Sequence, residues 1–255
     1  MENIVEDRTT KVVLVTGSAK GIGAAIIREL AKNGYNCVIN YQSSKAEATS
    51  LKEEVEKAYG IRALAIKADV SIEAEVDEMF STIEHTFGGV DVLVNNAAID
   101  LSDLFELQKT KDFQRTLDVN LLGAYLTSKR CENYMYNHKW GRIINITSTN
   151  GINTYYPTCM AYDASKAGLI SLTHNLAIQF APYIHVNAIA LGFIGTDAEL
   201  QGYDDEFLKQ ELDKILLKRY GDPIEVAHLV KFLISDEANY FNNSIIRLDG
   251  GQFGS

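Results

Sequence analysis

The sequence predicts an α/β fold: a doubly wound parallel sheet of about seven strands with helices on both faces. Short runs of β-branched and apolar residues alternate along the chain with longer segments of helical period. Several of the short runs, such as Val12–Val15 and Val92–Val94, are apolar at every position, which is typical of parallel strands covered on both faces. The 255 residues contain no internal repeat and no linker rich in Pro, Ser or Gly, so we expect one domain over 1–255.

The individual elements follow in chain order. The predicted strands are Val12–Thr16, Asn36–Tyr41, Ala63–Lys67, Val90–Asn95, Arg142–Thr147, His185–Ala190 and Ser244–Leu248. An apolar stripe predicts a helix over Ile22–Asn33, and Gly34 is placed for a left-handed cap. Glu47–Tyr59 and Ser71–Phe87 are charged and amphipathic, which predicts helices with one solvated face. Residues 192–223 interrupt the alternation, and a connection of that length predicts a mobile lid.

Composition and charge exclude several classes of protein. Lys and Arg number 24 against 34 Asp and Glu, for a net charge of −10, so we expect neither nucleic-acid nor anionic-membrane binding. Cys37, Cys131 and Cys159 are odd in number and far apart, which favours a reducing compartment over a disulfide framework or a metal site. The acidic first residues lack the pattern of a signal peptide, and no apolar run approaches the ~18 residues of a membrane span. We therefore expect a soluble, cytoplasmic protein without a bound metal.

A glycine-rich turn follows the first strand and leads directly into the first helix. It reads Thr16-Gly17-Ser18-Ala19-Lys20-Gly21-Ile22-Gly23. Glycines allow backbone amides to approach a pyrophosphate at the positive end of a helix. The strand before the turn and the helix after it are the context that a dinucleotide site requires, so the turn predicts a Rossmann-type cofactor site.

A second group of residues has the chemistry of an acid–base site. Tyr162 and Lys166 are four residues apart, so on a helix they are neighbours on one face. We expect the ammonium to lower the pKa of the phenol and to make it a general acid or base near neutral pH. Ser148 ends the fifth strand, where ligands of open α/β sheets bind, and its hydroxyl can stabilise charge on a carbonyl oxygen. Asn120 lies in an otherwise apolar helical segment, where a buried amide needs partners.

Together these motifs resemble the short-chain dehydrogenase/reductase family from about Lys11 to Gly251. The family has the spacing Thr-Gly-x3-Gly-x-Gly and a catalytic tetrad that matches Asn120, Ser148, Tyr162 and Lys166 in identity, order and spacing. The resemblance implies hydride transfer from NADPH to a carbonyl carbon, with Ser148 polarising the oxygen and Tyr162 protonating it. It also implies that Lys166 tunes Tyr162 and bonds the nicotinamide ribose, and that Asn120 holds a water linking the lysine to solvent.

The resemblance also implies the cofactor contacts. The family's adenine-side pair matches Asp69-Val70, and its Asn-Asn-Ala-Gly turn matches Asn95–Ala98, with Ala98 in place of glycine. Leu191 stands where the family has proline, so we expect a looser lid hinge and weaker cofactor binding. The residues expected to contact the cofactor are Gly17, Ser18, Lys20, Gly21, Ile22, Gly23, Asn40, Tyr41, Ser43, Asp69, Val70, Asn96, Ala97, Ala98, Tyr162, Lys166, Gly192, Ile194 and Thr196.

The end of the second strand bears on the choice between NADP(H) and NAD(H). An NAD-selective site places a carboxylate there for the ribose 2′-hydroxyl, whereas Asn40 is neutral. Lys20 and Ser43 can supply positive charge and a donor to a 2′-phosphate, and in the family a basic residue before the second glycine accompanies NADP preference. We therefore expect NADP(H), with NAD(H) less favoured.

The substrate is less well defined by the sequence. Aromatic and apolar residues flank the site: Tyr155, Tyr156, Met160, Phe193, Leu200, Tyr203 and Phe207. They suit an acyl chain, and Gly141-Arg142-Ile143-Ile144 is similar to bacterial 3-oxoacyl-(acyl-carrier-protein) reductases. Lys139 and Arg142 would remain to dock an acyl carrier protein, but the net charge of −10 does not favour an acidic partner.

Two alternatives stay open. One is a dehydrogenase acting on a free ketone, sugar or steroid alcohol. The other is a cofactor-binding sensor without turnover, although such proteins usually lack the tyrosine–lysine pair. The resemblance also implies a homotetramer, or a dimer, formed through the helices over Leu107–Asn137 and Ala161–Ala181.

Overall fold

The computed structural model describes residues 10–153 and 156–252, whose strands form one parallel sheet. The strands are β1 (Val12–Val15), β2 (Asn36–Tyr41), β3 (Ala63–Lys67), β4 (Val92–Asn95), β5 (Gly141–Ser148), β6 (Ile184–Leu191) and β7 (Ile245–Leu248). Their order across the sheet is β3-β2-β1-β4-β5-β6-β7, so the predicted doubly wound sheet is confirmed. The order reverses between β1 and β4, and this reversal opens a crevice at the carboxyl ends of the strands.

The helices of the described residues fill the connections between the strands. They are α1 (Gly21–Lys32), α2 (Lys45–Tyr59), α3 (Glu73–Phe87), α4 (Thr110–Leu117), α5 (Gly123–Asn137), α6 (Met160–Phe180), α7 (Asp197–Gly202), α8 (Asp205–Lys214) and α9 (Pro223–Ile234). The predicted helical region Leu107–Asn137 is wrong at its start and in its regularity. It begins at Thr110, and a π-helical turn over Asp118–Leu122 joins α4 to α5. None of the helices in the described ranges is both long and apolar enough to cross a bilayer.

The sheet separates two apolar cores. Alternate residues of β1 point to opposite faces, so Val13 and Val15 pack with α1, α2 and α9, while Val12 and Leu14 pack with α3, α5 and α6. All four side chains are fully buried, because helices cover both faces of the strand. This two-sided burial explains why the strand sequences are continuously apolar.

The predicted lid region, 192–223, contains α7 and α8. The side chains of Thr196 and Asp204 accept hydrogen bonds at the N-termini of these two helices. Phe193 packs against Tyr220, with ring centroids 4.8 Å apart, and Tyr203 stacks on Phe207 at 4.4 Å. The region therefore has an aromatic core of its own beside the carboxyl edge of the sheet.

Candidate active site

The glycine-rich turn is held by the residue that precedes it. The Thr16 hydroxyl accepts hydrogen bonds from the backbone amides of Asn96 and Ala97, both at 3.0 Å. In return, the side-chain amide of Asn96 donates to the carbonyl oxygens of Thr16, at 2.9 Å, and Gly17, at 3.1 Å. The turn after β1 and the turn after β4 are thereby fixed to each other at the point where the strand order reverses.

Two of the glycines are required by close packing, whereas a Cβ at the third would meet only ordinary contacts. A Cβ on Gly23 would lie 2.6 Å from the Cα of Ser18, and one on Gly17 would lie 2.9 Å from the Cα of Ala97. At Gly21 the nearest neighbour of a Cβ would be the Thr196 methyl group, 3.6 Å away. Gly17 and Gly21 also have φ near +60° and +54°, a region that favours glycine.

The turn fits the pyrophosphate of a dinucleotide. Lys20 precedes α1, and no described residue accepts a hydrogen bond from the amides of Gly21, Ile22 or Gly23. Free amides at the positive end of a helix form an anion site. Gly21 adds no side chain on the open side of this site, so a phosphate can approach the backbone.

A cavity of about 750 Å³ extends from this turn along the carboxyl ends of the strands. Several residues predicted for the cofactor and catalytic sites line this cavity. They are Lys20, Gly21, Ile22, Gly23, Asn96, Ala98, Ser148, Tyr162, Lys166, Gly192, Ile194 and Thr196. The remaining predicted residues do not line the cavity, and they are Gly17, Ser18, Asn40, Tyr41, Ser43, Asp69, Val70, Ala97 and Asn120.

Ser148 is positioned by a residue that the sequence did not single out. Asn150 lies in the short 3₁₀ turn after β5, and its backbone amide donates to the Ser148 hydroxyl at 3.2 Å. The Asn150 side chain in turn donates to the Asp163 carboxylate at 2.7 Å. Because Asp163 follows Tyr162 on α6, this chain of contacts ties the serine to the helix that carries the tyrosine.

The pKa of Tyr162 lies above its usual value, contrary to the lowering that we expected from Lys166. Burial raises it most, the carboxylate of Glu199 adds to the effect, and a hydrogen bond from Ser148 opposes them. The Lys166 ammonium instead donates to the carbonyl of Ile146 at 2.9 Å and lies 5.3 Å from the centre of the tyrosine ring. At neutral pH the phenol is therefore protonated, which is the form that can donate a proton.

Lys166 itself is only 2% exposed. Burial lowers the pKa of its ammonium to about 8, because a charge is poorly solvated in the protein interior. The lysine thus contributes less positive charge to the site near neutral pH than an exposed lysine would.

Asn120 lies in the π-helical turn, at the centre of a hydrogen-bond network. Its side chain accepts from the amide of Ile99 at 2.8 Å and donates to the Ile99 carbonyl at 2.9 Å. It also donates to the Ser165 hydroxyl at 3.0 Å. The amide therefore connects the loop after β4 to α6 next to Lys166. π-helical turns frequently occur at functional sites.

The adenine end of the predicted site differs from expectation at three residues. The Asn40 side chain is buried, accepting from the amide of Gly17 at 3.0 Å and donating to the Ala68 carbonyl at 3.1 Å. The Asp69 carboxylate pairs with Arg115 at 2.5 Å. Lys20 is not a free cation, since its Nζ lies 2.6 Å from Glu47.

Aromatic residues line the substrate end of the cavity. Tyr156, Phe193, Tyr203 and Phe207 are at the wall as expected, whereas Met160 and Leu200 are not. Tyr155 lies outside the described residues. Asp100, Asp197 and Glu199 add acidic groups to the cavity lining, and Asp100 and Glu199 act electrostatically on Tyr162.

A buried carboxylate that the sequence did not reveal holds this wall together. Glu211 on α8 is 1% exposed and accepts hydrogen bonds from Tyr156 at 2.5 Å and from Gln252 at 3.4 Å. It also pairs with Lys214 at 2.7 Å. Because Gln252 accepts from the amide of Phe193, Glu211 links the lid region to the chain segments on both sides of the cavity.

Arg142 is too buried to dock a carrier protein as expected, whereas Lys139 is exposed. Arg142 is 2% exposed, lies over the Trp140 ring and donates to Asn239. Lys139 precedes β5 and Arg142 lies near its start, whereas Ser148 ends it, so Arg142 is about 20 Å from Ser148 along the strand at ~3.3 Å per residue. Their position in the sequence near a family motif gave no information on which edge of the sheet they occupy.

The sheet reversal, the anion-binding turn and the tyrosine–lysine pair define a class: an oxidoreductase that uses a nicotinamide dinucleotide on carbonyl or alcohol groups. A family model described as enoyl-(acyl carrier protein) reductase matches residues 17–252. The chain belongs to the short-chain dehydrogenase/reductase family.

Known proteins resemble the chain along nearly its whole length. A 3-oxoacyl-(acyl-carrier-protein) reductase FabG from Staphylococcus epidermidis is 39% identical over 244 residues, covering 95% of this chain and 99% of the relative. The protein of the same name from Aquifex aeolicus is 38% identical over 245 residues, covering 95% and 97%. The structure of a doubly substituted mutant of a Serratia marcescens short-chain dehydrogenase/reductase superposes with a TM-score of 0.89 at 32% identity, covering 94% and 97%.

Proposed function

We propose that the protein is an NADPH-dependent reductase of 3-oxoacyl thioesters. The observation that carries the proposal is that Ser148, Tyr162 and Lys166 line one cavity with an aromatic wall. The FabG relatives support the substrate class, since their names specify 3-oxoacyl-(acyl-carrier-protein) reductases.

The residues present divide the chemistry between them. The amides of Gly21, Ile22 and Gly23 would hold the pyrophosphate of the dinucleotide, whose nicotinamide supplies hydride when it is bound. The Ser148 hydroxyl donates to the carbonyl oxygen of the substrate and stabilises the negative charge that develops there. Tyr162 then donates its proton to that oxygen and leaves an alcohol.

Lys166 and Asn120 act behind the tyrosine. A phenolate formed at Tyr162 is stabilised by a charged Lys166, whose pKa of about 8 leaves most of it protonated at pH 7. Asn120 fixes α6 through Ser165 and so positions the lysine. We propose that it also holds the water through which the proton is restored.

The acidic groups of the cavity favour a substrate that has no free carboxylate near its carbonyl group. Asp100 and Glu199 act electrostatically on Tyr162, and they would repel the carboxylate of a free 3-oxo acid. A thioester carries no charge at this position. Its acyl chain can pack against Phe193 and Tyr203.

The test is oxidation of NADPH by the purified protein with a short 3-oxoacyl thioester, free and bound to an acyl carrier protein, followed by the loss of absorbance of the reduced cofactor. We expect turnover with the thioester and little with the corresponding 3-oxo acid. Turnover only with free ketones, sugars or steroids would contradict the thioester proposal and leave the proton chemistry intact. The variant Tyr162→Phe should lose turnover and keep NADPH binding; a sensor would lose neither.

We also propose that the protein is a homotetramer. The outer surfaces of α5 and α6 carry exposed apolar residues, among them Tyr125 and Ile178, which suit a subunit interface. Light scattering after size-exclusion chromatography checks this, and a monomer at micromolar concentration would contradict it.

A further inference from the structure

An ion pair lies at the entrance to the glycine-rich turn. The Lys20 ammonium, immediately before α1, is 2.6 Å from the carboxylate of Glu47 in the first turn of α2. Lys20 lines the cavity, and both side chains are about half exposed, so solvent and ligands reach them. The pair joins the turn after β1 to the helix after β2.

In dinucleotide-binding folds this is the place that meets the adenosine ribose. A carboxylate near the end of the second strand accepts from a ribose 2′-hydroxyl, whereas a cation there binds a 2′-phosphate. The Asn40 side chain is buried and bonded to the backbone at Gly17 and Ala68, so it cannot take either role without breaking these contacts. Lys20 and its partner Glu47 remain as charged groups here, together with the exposed Lys45 at the start of α2.

We propose that Glu47 is a specificity-determining residue that limits the preference for NADPH over NADH. The carboxylate occupies the Lys20 ammonium that would otherwise bind a 2′-phosphate, and it places a negative charge next to that phosphate. NADH carries a hydroxyl in the same place and meets neither penalty. The inference rests on the proposed function, because it assumes that the turn holds a nicotinamide dinucleotide.

The size of the effect follows from the exposure of the pair. The hydrogen bond from Lys20 holds the pKa of Glu47 below its usual range, so the carboxylate is charged throughout the neutral range. Charges a few ångströms apart at a solvated surface change binding by about three- to tenfold at low ionic strength. Salt screens such an interaction, so the difference should shrink to less than about twofold near 1 M salt.

The experiment measures dissociation constants by calorimetry for NADPH, NADH, 2′,5′-ADP and 5′-AMP, with the native chain and with E47Q. We expect E47Q to tighten NADPH and 2′,5′-ADP by about three- to tenfold at low salt, with less than about twofold change for NADH and 5′-AMP. The matched control is E53Q, on the exposed side of the same helix, which removes the same charge from α2. It should change none of the four constants by more than about twofold, because no described residue forms an ion pair with the exposed Glu53.

Each outcome separates this inference from the proposed function. If the native chain binds NADPH and NADH and E47Q leaves their ratio unchanged, or E53Q shifts it equally, the role of Glu47 is refuted and the proposed function stands. If the native chain binds neither dinucleotide, the proposed function fails and this inference fails with it. Fragment binding needs no turnover, so the result does not depend on finding the right carbonyl substrate.

Discussion

Replacing Thr16 with valine removes the hydroxyl that two backbone amides share. Thr16 is 2% exposed, and the amides of Asn96 and Ala97 would lose their acceptor. An unsatisfied buried N–H costs about 1–3 kcal/mol. Because Asn96 and Ala97 are only half buried, water can reach part of the turn. We therefore expect T16V to lower the free energy of unfolding by about 2–4 kcal/mol.

The matched control is T16S, which keeps the hydroxyl and removes one buried methyl group, at a cost of about 1 kcal/mol. Unfolding in guanidinium chloride at a fixed protein concentration measures both variants, with the slope of each transition compared to that of the native chain. T16V should also weaken NADPH binding, because the turn after β4 would no longer be fixed to the glycine-rich turn. If T16V is as stable as T16S, the two hydrogen bonds do not carry the stability assigned to them.

Three further changes test other parts of the site. Gly23→Ala places a Cβ 2.6 Å from the backbone of Ser18, so we expect at least a tenfold loss of NADPH affinity in a fluorescence titration; unchanged affinity would contradict the close approach. Glu211→Leu leaves the Tyr156 hydroxyl without its acceptor, and we expect a several-fold higher KM for the carbonyl substrate, with Glu211→Gln, which keeps an acceptor, closer to native. Lys166→Met should abolish turnover and raise the free energy of unfolding at pH 7 by about 1–3 kcal/mol, since burial lowers the pKa of this ammonium from 10.5 to about 8. The unfolded chain holds the proton of Lys166 more strongly, so the buried ammonium lowers the free energy of unfolding of the native chain fully below pH 8. The stability advantage of Lys166→Met must therefore fade between pH 8 and 10.5, and an advantage independent of pH would refute this origin.

The sheet and the glycine-rich turn could be predicted from the sequence because their causes are local. Continuous apolar runs indicated the strands, and β2 and β3 were predicted to the residue. Gly34 was predicted as a left-handed cap, and its φ of +86° confirms it. At the other strands the bounds differ by one or two residues; β4, for example, begins at Val92 rather than Val90.

The π-helical turn could not be predicted in the same way. Over Asp118–Leu122 the apolar pattern fits a regular helix as well as a π-helical one, because five residues are too few for the periods to diverge. The contact of Asn120 with Ile99 is formed between residues 21 apart in the sequence, and no local pattern contains it. The asparagine itself was identified through the family motif, but the network it holds needed the three-dimensional structure.

Charged residues were the least predictable part of the site, because their effect depends on partners that the sequence does not place. Lys20 was predicted to supply positive charge to a 2′-phosphate, yet its Nζ lies 2.6 Å from the carboxylate of Glu47 on α2. The expected lowering of the pKa of Tyr162 rested on Lys166 as a nearby fixed cation, whereas burial raises the pKa of the phenol and lowers that of the amine. A motif fixes which groups a family site contains, whereas the burial and neighbours of each group decide its charge. In this chain they favour a neutral phenol at Tyr162.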